Sequence, residues 1–348
     1  MKLCDKYLPQ GPTVEHGWYT GSPSPKIDED FNEAEIRTAL QELNGKSAPG
    51  PDRSELIVSK GYPVEEHTVV TADGYILRMQ RIPGGRNEPV VLDANYYKPV
   101  VLIVHALAVS SADFVINFPE QSLGFVLADA GYDVWLGNLR GNEYTSHLTY
   151  KKSDPIFWRF SFDEMIMYDT PSMIDGVLGR TNNTRLMYIG FSQGTQVLFG
   201  LLAEQPEYNK KISLFLAMAP IAYLGHLKAI SHAFVPFAEV FRAFVWWYTG
   251  GSIAVRTPQS TAAAIRICGG TFTVSICLFF VELVNGVDLY QLNVTRLAVY
   301  AAHSPSGTSV DNIYHFAQLV RCNCFRKFNH GAVKNLKKYG SVSVYSPK

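Results

Sequence analysis

The sequence predicts an α/β protein built on a doubly wound, mostly parallel sheet with an antiparallel hairpin at its leading edge. Three observations carry that expectation. Unbroken apolar runs of strand length recur along the chain, and stretches with helical spacing lie between them. Where one run gives way to a helix, Gly190-Phe191-Ser192-Gln193-Gly194 sets a serine between two glycines. That is the G-x-S-x-G pattern of a sharp strand-to-helix turn.

Taken in order, "EEHTVVTADGYILRMQRIP" (65–83) alternates apolar and polar residues around Ala72-Asp73-Gly74. Asp-Gly supplies the positive φ of a tight turn, so this stretch reads as a hairpin. "KPVVLIVHA" (98–106) is continuously apolar, as a strand covered on both faces must be. "YDVWLGN" (132–138), "RLMYIGF" (185–191) and "ISLFLAMAP" (212–220) repeat the type. Helices are expected over 119–130, 162–179 and 194–205.

Composition narrows the function classes. Of 348 residues, 47% are hydrophobic and 18% charged, a globular balance, and the 31 basic side chains equal the 31 acidic ones. Neutral charge without an aromatic-basic stripe argues against a nucleic-acid partner. No apolar stretch reaches the ~18 residues of a membrane span, since "TFTVSICLFFVELV" (271–284) is short and carries Glu282. The opening residues hold no apolar signal-peptide core. Five cysteines give no full disulfide framework; Cys268 and Cys277 could close a short loop in an oxidising compartment. Cys322-x-Cys324 lacks the further ligands a metal would need, and no metal site is expected.

Ser192 carries the chemistry. Glycines at 190 and 194 leave room where strand and helix cross, and the helix N-terminus directs free N–H groups toward the hydroxyl. The N–H of Gln193 is therefore expected to stabilise an oxyanion. A serine also needs a base, and the base a carboxylate.

Resemblance makes the reading specific. "VHALAVSSADFVINFPEQSLGFVLADAGYDVWLGNLRGNEYT" (104–145) closely resembles the acid lipase family, which includes the gastric and lysosomal acid lipases. So do "GYPVEEHTVVTADGYILRMQRIP", "FSFDEMIMYDTPSMIDGVL", "EQPEYNKKISLFLAMAP" and "HSPSGTSVDNIYHFAQLV", in the family's order from about residue 56 onward. The resemblance implies an α/β-hydrolase fold with an inserted, mainly helical cap, cleaving triacylglycerols or cholesteryl esters without cofactor. It assigns Ser192 as nucleophile and the N–H groups of Leu107 and Gln193 as oxyanion donors. It also implies a secreted or lysosomal glycoprotein acting at a lipid–water interface, and the sequons at Asn182 and Asn293 agree.

Two positions depart from the family. Ala106 stands where the family has Gly, and would strain the turn if it took a positive φ; Phe191 replaces the usual His before the nucleophile. Because α/β-hydrolases place acid and histidine after the serine, His67, His105 and His147 read as structural. After Ser192 come Asp288, Asp311, His226, His232, His303, His315 and His330. By resemblance, "HSPSGTSVDNIYHFAQLV" contains no catalytic member, and His226 and His232 fall in the cap. The expected organisation is a leader over 1–55, a hydrolase core over 56–220, a cap over 221–330 and a truncated return to the core over 331–348. The last core strands, with the acid and histidine, are expected to be missing. The aromatic helices of the cap, "FRAFVWWYTGG" and "CLFFVELV", read as a shield over a hydrophobic acyl pocket, with core packing expected for most of their side chains as well. Residues 31–53, with Ile36, Leu40 and Leu43 on one helical face before "KSAPGPD", resemble a reverse-transcriptase leader from a retroelement. Three readings follow: a lipid ester hydrolase, an inactive lipid-binding remnant, or a non-functional fusion.

Overall fold

In the computed structural model the described residues are 53–86, 88, 98–225, 235–270, 273–275, 277–278 and 296–344. The retroelement-like stretch up to residue 52, together with Asp288, His226, His232 and Asn293, lies outside them. Helix α1 (Arg53–Val58) straddles the boundary expected at 55/56 and buries Ile57 against the core.

Strands β1 (Glu65–Val70) and β2 (Tyr75–Ile82) form the expected hairpin, in register from Glu65↔Arg81 to Val70↔Ile76. Its turn uses Gly74 at φ +93, and the Asp73 carboxylate accepts from the Thr71 hydroxyl at 2.6 Å. Four strands follow the apolar runs: β3 (Val100–Val104), β4 (Asp133–Gly137), then, after the short β5 (Thr145–His147), β6 (Leu186–Phe191) and β7 (Ile212–Met218). The sheet order is β1-β2-β4-β3-β6-β7, with β4, β3, β6 and β7 parallel and β5 added antiparallel to β2. This is the doubly wound sheet that the sequence predicts.

Why the central runs are wholly apolar is visible in their packing. All five residues of β3 are buried. Leu102 and Val104 join a cluster with Trp135, Met173, Tyr188 and Val197, whereas Val101 and Ile103 join Phe125, Val134 and Ile189 on the opposite face. Helix α2 (Leu123–Asp129) covers the second face. The first is covered by α3 (Thr170–Thr181) and α4 (Gln193–Glu204). Each buried aliphatic side chain contributes roughly 1.5–3 kcal/mol, so neither face tolerates polarity. The run at 162–179 is not one regular helix. A turn at Phe162–Glu164 passes through π-helical backbone at Met165–Asp169 before α3 begins, with Pro171 in its first turn. Proline lacks an N–H and its ring clashes with the carbonyl four residues earlier, which favours a widened turn there.

A buried charge cluster ties these layers together. Arg140 donates to Asp169 on one side (2.6 Å) and to the hairpin's Asp73 on the other (2.6 Å), and lies 4.0 Å from the Tyr75 ring centroid. Burial opposes ionisation of Asp73, but the hydrogen bond and charge of Arg140 outweigh it and hold that carboxyl below its ordinary range.

The second half is helical. It comprises α5 (Ala238–Thr249), α6 (Pro258–Gly269), α7 (Leu297–His303), α8 (Val310–Cys322) and α9 (Ala332–Tyr339). Two-residue strands β8 (Ser252–Ile253) and β9 (Thr308–Ser309) pair beside them. The Cys268 and Cys277 sulfurs are bonded, with Cα atoms 5.1 Å apart, and pack with Leu297; Cys322 and Cys324 are also bonded.

Core packing was the wrong expectation for the aromatic helix. In α5 only Val245 is fully buried; Trp247 is 78% exposed and Tyr248 73%, with Phe241 and Phe244 beside them on the same outward face. The inward face is taken by Val245, Trp246 and Arg242, and Arg242 pairs with Asp311 of α8; among the described residues no second layer receives the outward face. At the other end of the sheet, β7 pairs only with β6 among the described residues and exposes Leu214, Leu216 and Met218. No described helix is long and apolar enough to cross a membrane.

Candidate active site

Ser192 sits between the end of β6 and the first residue of α4. Its backbone holds φ 51 and ψ −111, a conformation outside the usual wells for a non-glycine residue. Such angles cost on the order of 1–3 kcal/mol and persist only where the surroundings enforce them. Here the enforcement is visible. The Ser192 N–H donates to Met218 O on β7 (2.9 Å), while the Ser192 carbonyl accepts from the Thr195 hydroxyl (2.7 Å) and N–H (2.9 Å). The flanking glycines are obligatory. A Cβ on Gly190 would lie 2.6 Å from the Gly194 carbonyl, and one on Gly194 would lie 2.2 Å from the Val104 carbonyl oxygen.

That close approach also brings the loop after β3 to the same place. His105 is buried in it: Nε2 accepts the Leu139 N–H at 3.0 Å, so Nδ1 carries the proton and donates to Ala106 O at 2.8 Å. Both ring nitrogens serve the loop. The left-handed residue of the turn is Ala108 (φ 58), not Ala106, so the Gly-to-Ala departure at 106 imposes no backbone strain. Ala108 O accepts the Ser306 N–H at 2.8 Å, pinning the loop to the helical half. The N–H groups of Leu107 and Gln193 donate to no described acceptor, as an oxyanion site requires.

One contact was invisible in the sequence. The Gln193 side chain is buried and donates through Nε2 to Asn312 Oδ1 at 2.9 Å, and Asn312 in turn donates to the Thr308 hydroxyl at 3.1 Å. Asn312 on α8 thus fixes the residue after Ser192 from 119 positions away. No local motif announces a pairing of that sequence separation.

The Ser192 hydroxyl forms no hydrogen bond to any described residue. Two of the described histidines that follow it, His315 and His330, are held elsewhere. His315 stacks on Phe162 at 3.7 Å and donates to Arg326 O at 2.9 Å; burial pushes its pKa down to about 3, so it stays neutral. His330 meets Lys338 Nζ at 3.2 Å, and burial with the Lys338 charge pushes it down to about 4. His303 is buried at the end of α7. Asp311 is bound by Arg242 Nε at 2.5 Å and Trp246 Nε1 at 3.0 Å.

A mixed sheet with helices on both faces, and a strained serine at a strand-to-helix turn, defines the α/β-hydrolase class. The alpha/beta hydrolase fold family matches residues 99–237, and the partial alpha/beta-hydrolase lipase region matches residues 53–118. The chain is 40% identical over 308 residues to gastric triacylglycerol lipase of Bos taurus, covering 85% of this chain and 75% of that protein. It is 38% identical to lipase member M of Homo sapiens (82% and 67% covered) and 39% to lipase lipl-1 of Caenorhabditis elegans (83% and 72%). The chain belongs to the α/β-hydrolase lipases of the gastric and lysosomal acid lipase family. By family it is an ester hydrolase of the lipase type.

Proposed function

We propose that this chain carries the binding and nucleophile half of a neutral-lipid esterase, with Ser192 as nucleophile and the Leu107 and Gln193 N–H groups as oxyanion donors. The observation that carries this is the Ser192 backbone, held at φ 51 where only a packed elbow would keep it. Triacylglycerol or a cholesteryl ester is the substrate class, a reading supported by relatives such as gastric triacylglycerol lipase. Residues 56–220 form the hydrolase core and 221–330 its cap. The outward aromatic face of α5 meets the lipid–water interface, where Trp and Tyr gain most. A secretory or lysosomal location fits the same relatives, and no metal or cofactor enters the chemistry.

In this chain we read the hydroxyl as placed but not activated, because it has no hydrogen-bond partner among the described residues, and His315 and His330 are engaged away from it. A second reading, an inactive lipid-binding protein, is favoured by the same fact. Turnover of a tributyrin emulsion by the chain and by Ser192→Ala tests the proposal. Rates within roughly tenfold of each other are expected for an unactivated hydroxyl; a rate about 10³-fold above Ser192→Ala would support Ser192 as nucleophile but means that a base operates, and overturns the claim that the hydroxyl is not activated.

A further inference from the structure

Away from Ser192, α5, α8 and the stretch from Arg326 into the first turn of α9 line an open cavity of about 480 Å³. Four cations line it: Arg242, Arg321, Arg326 and Lys334. Arg242 is answered by Asp311, and Arg321 by Glu239 at 2.9 Å. Arg326 and Lys334 have no carboxylate partner among the described residues, and Arg326 Nε is buried without an acceptor.

The wall is built to hold its shape. Gln318 donates to Asn329 O and accepts the Asn329 N–H, both at 2.8 Å. The Asn329 side chain accepts from Gly331 N–H (2.9 Å) and Asn335 Nδ2 (2.8 Å), and Asn335 accepts the His330 N–H at 2.9 Å. The local field is positive, since the Arg326 charge adds to burial in keeping the neighbouring His315 neutral.

We propose that this cavity binds a phosphate group, held by Arg326 and Lys334 and rimmed by Arg242 and Arg321. Two unanswered cations call for a ligand of about two negative charges with several acceptor oxygens. A phosphate meets that need better than a singly charged carboxylate. The phosphate is either free or the headgroup of an anionic lipid, and nothing in Ser192 chemistry requires it.

Calorimetric titration of the full chain with inorganic phosphate, glycerol phosphate and sodium acetate tests this, beside flotation with phosphatidylcholine vesicles with and without phosphatidylglycerol. Saturable phosphate binding is expected, with acetate weaker, and with Arg326→Met and Lys334→Ala each weakening it roughly tenfold. Lys334 is exposed, so its variant keeps the fold if the Arg326 one does not. Vesicle capture that needs phosphatidylglycerol and is displaced by glycerol phosphate identifies a lipid headgroup; phosphate binding without capture identifies a free phosphate. Either outcome supports the site. Absence of phosphate binding, acetate binding as tightly, or affinity unchanged in both variants overturns it.

Discussion

The sheet with its elbow and the helical half beyond residue 235 use the same apolar alphabet to different ends. In β3 every apolar residue is buried, because helices cover both faces of the sheet. In α5 a comparable density of apolar residues leaves only Val245 buried. Residue type fixes burial where two layers close on an element, and fails to where one side is open. The elbow depends on the first condition: a strained Ser192 survives because Met218 and Thr195 hydrogen-bond its backbone while Val104 closes on the Gly194 that follows it.

The largest effect is expected from breaking the tight side. Gly194→Val drives a side chain into the Val104 carbonyl, a backbone atom that cannot move aside. A loss above ~4 kcal/mol is expected, read as a collapsed melting transition in thermal denaturation. Wild-type melting would mean that strand and helix do not meet so closely.

A smaller effect comes from the seam between the two regions. Asp163 is buried where it accepts the Phe328 N–H (2.8 Å) and the Tyr339 hydroxyl (3.3 Å), next to the Glu164–Lys338 pair. Burial first, and then Glu164, push its carboxyl up to about 7 against the Phe328 N–H and the Lys338 and Lys327 charges. The folded state thus favours the protonated acid. Its contribution is full below the ordinary carboxylate range and is lost as pH rises through about 7. Stability is expected to fall by a few kcal/mol across that window, and Asp163→Asn to flatten the slope in denaturant titrations at several pH values. An equal slope in the variant would place the titration elsewhere.

The smallest stability change belongs to the open side. Trp247→Ser is expected to leave stability within about 0.5 kcal/mol, since the side chain is 78% exposed. It should weaken adsorption to a triacylglycerol emulsion several-fold, measured by depletion from the aqueous phase. A large melting shift instead would mean that the aromatic face is packed.

The same contrast explains what could be read from the sequence. The hairpin, the four apolar strands and the turn around Ser192 are set by local periodicity and glycine placement, and each is found within a residue or two of its expected position, although β7, expected to be covered on both faces, leaves Leu214, Leu216 and Met218 exposed. β5 has three residues and no pattern of its own; it forms because β2 offers an edge at Tyr75–Leu77. The left-handed Ala108 and the Gln193–Asn312 contact each depend on partners distant in the chain. The outward face of α5 was misread because a stripe of aromatics is identical on paper whether covered or bare.

The central claim is that Ser192 is placed for attack yet its hydroxyl meets no proton acceptor among the described residues. Labelling by a fluorophosphonate, with and without added imidazole, tests it most directly. Slow reaction confined to Ser192, abolished in Ser192→Ala and accelerated by imidazole, is the predicted result. Rapid, complete labelling that imidazole does not change would contradict the claim.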